Sequence, residues 1–370
     1  MKTILVIFGT RPEAIKMCPL VKKLKERREI NTLVCVTGQH REMIDEALKA
    51  FSVIPDFFLD SFLDEQSLTN LYARILNSVG RVIQHVKPDL VLVHGDTASA
   101  LASALAAFLC CVPIGHVEAG LRSGDLSSPF PEEMNRVLIS QLATLDFAPT
   151  DSAQKALLDL GKEKEQIWVT GNTVIDALKE TIKKDFYHPL LGTIAGKKVL
   201  FLTVHRRENL GEPIRAIFRT VLRIVDYFPD VCVIAPLHKN PGVREAAKEI
   251  FGEVDHPRVL LTEPLGVEAC HNLMARSTLI LTDSGGLQEE APALGKPVIV
   301  LREKTERIEG VKDGGAILCG SDPKRIFKET IRLLSDSAYY SSVARVRYPY
   351  GNGGASEKIT DVVLRYLVKG

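Results

Sequence analysis

The sequence predicts an α/β protein built from two Rossmann-like, doubly wound domains that face each other across a cleft. Three observations predict it. Short apolar runs rich in β-branched residues alternate with helical segments, and the alternation comes in two sets. A polar segment with one proline and two glycines, Lys179 to Lys197, lies between the sets. Nearly every unusual loop follows the C-terminal end of an apolar run, the edge at which open α/β sheets bind ligands.

In the first half the strand-like runs are Thr3–Phe8, Thr32–Thr37, Leu90–His94, Val112–Val117 and a weaker Asp146–Ala148. In the second they are Lys198–Val204, Val231–Ala235, Arg258–Thr262, Leu279–Thr282 and Pro297–Leu301. A chain of 370 residues suits two domains, expected at 1–172 and 173–354, with a last helix at 355–370 able to pack back on the first. Hydrophobic content of 45% and charged content of 25% are those of an ordinary soluble globular protein. The formal net charge is +1, so no global field recruits nucleic acid or an acidic membrane. Any anion must be held by local arginines and helix N-termini. Seven cysteines with no C-x-x-C spacing argue against a disulfide framework or a zinc site. Most sit in apolar runs (Cys35, Cys110, Cys111, Cys232), as reduced cysteines do, which implies a cytoplasmic location. The longest apolar stretch, Ala98 to Val112, is alanine-rich and bounded by Asp96 and Pro113, so it reads as a buried helix rather than a membrane span.

The stretch Leu281 to Glu290 is the most informative. A buried strand, Leu279–Thr282, feeds the turn Asp283-Ser-Gly-Gly286, and a helix is expected over Leu287–Leu294. A glycine-lined helix N-terminus presents free backbone N–H groups and the positive end of the helix dipole, with no Cβ to keep a phosphate away. Glu290 falls one to two turns in, where a carboxylate can accept hydrogen bonds from ribose hydroxyls. An ordinary βα turn with a serine N-cap is the plain alternative.

The remaining loops divide by half. The second half supplies phosphate ligands: Ser284, Gly285, Gly286, His205, Arg206, Arg207 and Arg307. The first half supplies the carboxylates Asp96, Glu118 and Glu132, together with Arg11. Carboxylates opposite a bound anion suit acid–base chemistry or sugar hydroxyls. For Asp96 an N-cap of the alanine-rich helix is the lesser alternative, and Glu132, after Pro131, reads equally as a first-turn carboxylate of any helix. Glu118 follows a β-branched run, where a solvent-facing charge is out of place. His205 and His238 both end strands, and for His238 a purely structural role is the alternative. His40, His94 and His116 lack metal-ligand spacing, and no Walker loop or G-x-G-x-x-G is present, so neither a metal nor a cofactor is expected.

These stretches together resemble the non-hydrolysing UDP-N-acetylglucosamine 2-epimerases. The resemblance rests on Gly9-Thr-Arg-Pro-Glu-Ala-Ile-Lys16, Gly38-Gln-His-Arg-Glu42, His94-Gly-Asp96 and Gly115-His-Val-Glu-Ala-Gly-Leu-Arg122. It continues through Pro131-Glu-Glu-Met-Asn-Arg136, His205-Arg-Arg-Glu208, Asp283 to Glu290 and Thr305-Glu-Arg307. It implies a glycosyltransferase-B-like fold, a homodimer, and interconversion of UDP-GlcNAc and UDP-ManNAc through 2-acetamidoglucal, supplying ManNAc units for surface polysaccharide. It implies UDP contacts at Arg11, His205, Ser284, Gly285, Gly286, Glu290 and Arg307, and catalytic work by Asp96, Glu118, Glu132 and His205. In some bacterial members a second UDP-GlcNAc activates, which implies contacts near Gln39, Glu132, Arg206 and His238. Ile308 stands where the family usually has proline, and Val267 and Cys270 where many members place aromatics near the uracil. Base stacking is therefore expected to be weaker here. A hydrolysing epimerase, a glycosyltransferase of the same architecture and a non-catalytic nucleotide-sugar sensor are the rival readings.

Overall fold

The computed structural model describes residues 1–38, 41–60, 67–252, 256–345 and 348–369. The chain divides into two compact units, Met1–Glu180 with Tyr350–Gly370, and Thr181–Pro349. The first holds a seven-stranded sheet: β1 Lys2–Phe8, β2 Ile30–Val36, β3 Phe57–Phe58, β4 Leu90–His94, β5 Ile114–Val117, β6 Leu145–Ala148 and β7 Ile167–Val169. Its helices are α1 Arg11–Lys25, α2 Arg41–Ala50, α3 Leu68–Val86, α4 Ala98–Leu109, α5 Glu132–Leu142, α6 Asp151–Asp159 and α7 Thr173–Thr181, whose last residue opens the second unit. The second unit carries α8 Leu190–Thr193 and the strands β8 Lys198–Thr203, β9 Val231–Pro236, β10 Val259–Thr262, β11 Leu279–Thr282, β12 Val298–Val300 and β13 Ala316–Leu318. Its further helices are α9 Glu212–Tyr227, α10 Pro241–Ala247, α11 Val267–Ala275, α12 Gly285–Ala293, α13 Ile308–Lys312, α14 Pro323–Ser335 and α15 Ser337–Val343; α16 Ala355–Lys369 returns to the first.

Both sheets are parallel and wound alike. The strand orders are β3-β2-β1-β4-β5-β6-β7 and β10-β9-β8-β11-β12-β13. Winding reverses between β1 and β4 in one and between β8 and β11 in the other, so each sheet has a single switch point where neighbouring loops diverge. The sequence explains the burial. Ile4 to Phe8 and Leu90 to Val93 are apolar without alternation, as strands covered on both faces require, and all are at most 1% exposed. In α9, Ile214, Ile217, Phe218, Val221, Ile224 and Val225 repeat at helical spacing and pack on Leu200, Leu202 and Val233 of the second core. The alanine-rich α4 is largely buried up to Ala107, as expected, while Phe108 and Leu109 at its end are exposed, and no described helix is long and apolar enough to cross a membrane.

Local signals fix the helix starts at the switch points. Thr10 and Glu13 form a reciprocal capping box on α1. Gly9 lies so close under α4 that a Cβ there would stand 2.0 Å from Ser99 Oγ, so only glycine fits.

Several expectations are corrected. Strands β3, β7 and β13, two or three residues each, are too short to show a period, and only their neighbours reveal them. Helix α12 begins at Gly285, two residues before the expected Leu287, so the glycines form its first turn. Cys110 and Cys111 lie at the end of α4, half-buried and exposed, rather than in the core. The first unit runs to Glu180 and resumes at Tyr350. The reason is packing: Val174, Ile175, Ala177 and Leu178 of α7 are buried, and Asn172 N donates to Tyr350 O at 2.7 Å. Asp176 then caps α16 from outside it, accepting from the backbone N–H of Gly354, Ala355 and Ser356 at 3.3, 3.2 and 3.1 Å.

Because Asp176 satisfies three otherwise orphaned donors, Asp176→Ala should cost about 1–2 kcal/mol. Urea unfolding should show it as a lower midpoint; an unchanged midpoint would contradict the capping role.

Candidate active site

In the first unit, the loops after β1 and β4 are sewn together by a buried carboxylate. Glu13 Oε2 accepts from Gly9 N at 3.0 Å and Thr10 N at 2.7 Å, and Oε1 accepts from Thr97 Oγ1 at 2.7 Å. Burial raises its carboxyl above the usual range, with the Thr97 hydrogen bond and nearby His94 opposing. Thr97 itself caps α4, accepting from Ala100 N at 3.1 Å. Asp96 is therefore not the N-cap.

Asp96 instead remains a quarter exposed and ion-pairs with Arg136 of α5, which also holds Glu133 at 2.8 Å. Asn135 Nδ2 donates to Asp96 O at 2.7 Å, while its Oδ1 accepts from the Tyr72 hydroxyl at 2.7 Å. Burial raises the Tyr72 phenol, the Asn135 hydrogen bond opposes this, and the charges of Glu132 and Asp96 add to the rise. Glu132 is half-buried in the first turn of α5.

Glu118 sits at the end of β5 with φ of 65°, a left-handed conformation that costs a non-glycine residue about 1–3 kcal/mol. It is held there by three elements. Lys16 of α1 ion-pairs with Oε2, Asn172 Nδ2 donates to the same atom at 2.6 Å, and His94 Nε2 lies 3.6 Å away. The side chains of Lys16, His94 and Glu118 are each at most 8% exposed. Glu118 Oε1 would meet a Cβ on Gly95 at 3.8 Å, so this carboxylate adjoins the Asp96 loop. Arg11, the first residue of α1, is half-buried at the same switch point.

In the second unit, Asp283 is fully buried and joins the loops after β8 and β11. It accepts from His205 N at 2.9 Å, Arg206 N at 2.8 Å and Asn209 Nδ2 at 3.0 Å. His205 Nδ1 lies 3.3 Å from Asp283 Oδ1, which leaves Nε2 for a ligand. The His205 ring stacks on His238 with centroids 5.2 Å apart. Burial lowers the His205 pKa from 6.5, Asp283 opposes this, and Arg206 and His238 add to it. His238 is exposed; Arg206 is half-buried, and its Nε makes no hydrogen bond among the described residues.

Gly285 opens α12 against the Arg307 guanidinium: an added Cβ would stand 2.9 Å from Arg307 Cζ. Arg307 is oriented by Glu289, 2.9 Å from Nε, and by an ion pair with Glu306. The Ser284 hydroxyl caps nothing, while Ser284 N donates to Thr282 Oγ1 at 2.9 Å. An arginine beside a glycine-lined helix N-terminus is an anion site. Glu290 is buried on the same helix, its Oε1 within 3.3 Å of a Cβ placed on Gly286.

The structure thus groups Asp96, Glu118, Glu132 and Arg11 at one switch point, and His205, Arg206, Ser284, Gly285, Gly286, Glu290 and Arg307 at the other. Gln39 and His40 lie outside the described residues. Sequence reasoning gave no role to Glu13, Lys16, Asn172, Arg136 or Asp283. The missed signal was an ionisable residue inside an apolar stripe, as Lys16 is among Ala14, Met17, Cys18 and Leu20. Ile308 is 42% exposed at the start of α13, whereas Val267 is 2% exposed and belongs to the interior.

Comparison with known proteins decides the family. The family described as UDP-N-acetylglucosamine 2-epimerase matches the chain over residues 22–364. The chain belongs to this family. A relative from Bacillus subtilis, named UDP-N-acetylglucosamine 2-epimerase, is 49% identical over 361 residues, covering 98% of this chain and 94% of its own. The structure of Staphylococcus aureus MnaA with UDP has a TM-score of 0.94 at 47% identity, covering 99% of this chain and 97% of that one. The epimerase from Neisseria meningitidis, solved bound to UDP-GlcNAc, has a TM-score of 0.93 at 42% identity, covering 98% and 100%. Both units of this family member are thus Rossmann-like, and its fold class is glycosyltransferase-B-like.

Because burial outweighs Asp283 at His205, the imidazole should be neutral at pH 7. Its NMR titration should fall below 6.5 and move upward when a diphosphate binds. A midpoint above 6.5 in the free protein would contradict this balance.

Proposed function

We propose that the chain reversibly epimerises carbon 2 of UDP-N-acetylglucosamine, giving UDP-N-acetylmannosamine without net hydrolysis. The observation that carries it is the division of charge between switch points: three carboxylates in the first unit, N–H and guanidinium donors in the second. That division suits elimination of an anion. The second unit holds UDP through Ser284, Gly285, Gly286, His205 and Arg307, with Glu290 on the ribose, and Arg11 adds a cation. A first-unit carboxylate takes the proton from carbon 2 as the carbon 1–oxygen bond to UDP breaks, leaving 2-acetamidoglucal. UDP then adds back to carbon 1 while a proton is delivered to the opposite face of carbon 2. A firm hold on the diphosphate is catalytic, because it stabilises the leaving anion and keeps it for return. Lys16 and Asn172 hold and aim Glu118, and Arg136 does the same for Asp96. The Gly9-Thr-Arg-Pro-Glu13 form favours this over the hydrolysing relatives.

The resemblance further supports a homodimer acting in the cytoplasm and supplying ManNAc for surface polysaccharide. It also supports a second, activating UDP-GlcNAc at Gln39, Glu132, Arg206 and His238, of which His238 is exposed.

Proton NMR of UDP-GlcNAc with the protein in D2O should show UDP-ManNAc, with deuterium entering carbon 2 of both epimers. Free ManNAc with UDP would replace this reading by the hydrolysing one, and no reaction would leave a transferase or sensor. Asp96→Asn should retain UDP binding and lose about 10²–10⁴-fold in turnover. Gly285→Ala, which displaces Arg307, should weaken UDP binding about tenfold or more by calorimetry while the circular dichroism stays unchanged.

A further inference from the structure

The two oxygens of Glu290 have different surroundings. Oε1 is turned to Gly286 in the first turn of α12. Oε2 is buried, accepts no hydrogen bond among the described residues, and has His271 Nε2 at 3.4 Å. His271, on α11, is 2% exposed, and its Nδ1 lies 2.7 Å from Thr181 Oγ1. Thr181 is itself fixed, since Asn272 Nδ2 donates to its carbonyl at 2.8 Å and Asn272 Oδ1 accepts from Lys183 N at 3.0 Å. A buried relay therefore runs from Thr181 through His271 to Glu290.

The proton positions follow from chemistry. A bare Nε2 would set its lone pair against the carboxylate. With the Thr181 hydroxyl donating to Nδ1, the hydrogen sits on Nε2 and faces Oε2; in an imidazolium both nitrogens carry hydrogen and Nε2 faces Oε2 likewise. In either form the ring attracts one oxygen of Glu290 and leaves the other toward the helix N-terminus. A 3.4 Å separation is an electrostatic contact rather than a full hydrogen bond, so its effect is orientation more than strength.

We propose that His271 is a positioning residue for nucleotide recognition. Held by Thr181, it fixes Glu290 so that Oε1 accepts from the ribose hydroxyls, and it thereby sets a preference for ribonucleotides over deoxyribonucleotides. This rests on the reading above that Glu290 meets the ribose. Without the ring, the carboxylate must be ordered by the ligand itself, and affinity falls only for ligands that carry the hydroxyls.

Calorimetry of the full chain with UDP and with 2′,3′-dideoxy-UDP tests it. The wild-type protein should bind UDP about tenfold tighter than the dideoxy ligand. In His271→Ala that ratio should fall at least about threefold, through loss of UDP affinity alone. His271→Gln, whose amide can still donate to Oε2, should restore it. Thr181→Val, which removes only the hydroxyl, should lower the ratio as well, and it reads the same quantity if His271→Ala fails to fold. Equal weakening of both ligands, or an unchanged ratio in both variants, would overturn the proposal and leave His271 a packing residue. Equal binding of the two ligands by the wild type would instead overturn the ribose role of Glu290, and absence of UDP binding would overturn the proposed function itself.

Discussion

A parallel sheet wound in both directions from its first strand sends neighbouring crossovers to opposite faces at one point. There the loops cannot be covered by their own helices, and the polar groups they expose must be satisfied in another way. This constraint acts in each unit, between β1 and β4 and between β8 and β11. Both units answer it with a buried carboxylate that accepts backbone N–H groups from one loop while tied to the other. Glu13 joins Gly9 and Thr10 to Thr97, and Asp283, at the end of β11, gathers His205, Arg206 and Asn209. Charge-assisted bonds of this kind are short and directional, and they hold the loops in place before any ligand arrives.

The functional groups are built on that foundation. In the first unit a strained Glu118 is clamped by Lys16 and Asn172, and Asp96 by Arg136. In the second, the Arg307 guanidinium occupies the space that Gly285 leaves empty, with Glu289 and Glu306 fixing its plane. In each case a group proposed to act on the substrate is oriented by a partner that need not touch it. Such preorganisation lowers the cost of ordering side chains at the moment of binding or reaction.

Much of this was legible from the chain. The glycine-lined turn, the strand-end loops and the division between carboxylates and cationic groups all follow from residue types placed after apolar runs. What escaped were elements and residues whose signal is not local. Two-residue β3 has no period of its own, and Ile167–Val169 reads as strand only because β6 lies beside it. Asp283 reads as part of a turn, and nothing nearby in sequence shows that it will accept from residues 74 to 78 positions earlier. Lys16 could have been suspected from its place in an apolar stripe, but its partner is 102 residues away.

By itself the sequence determined which segments become strands and helices, because hydrophobic period and capping residues act within a few positions along the chain. It also determined which chemical groups stand at the strand ends. Only the tertiary structure decided the roles of the buried ionisable residues. That Thr97 and not Asp96 caps α4, that Asn172 and Lys16 meet at Glu118, and that His271 lies beside Glu290 depend on strand order and on contacts between distant elements. Those contacts are set by how the sheets pack, which no local pattern encodes.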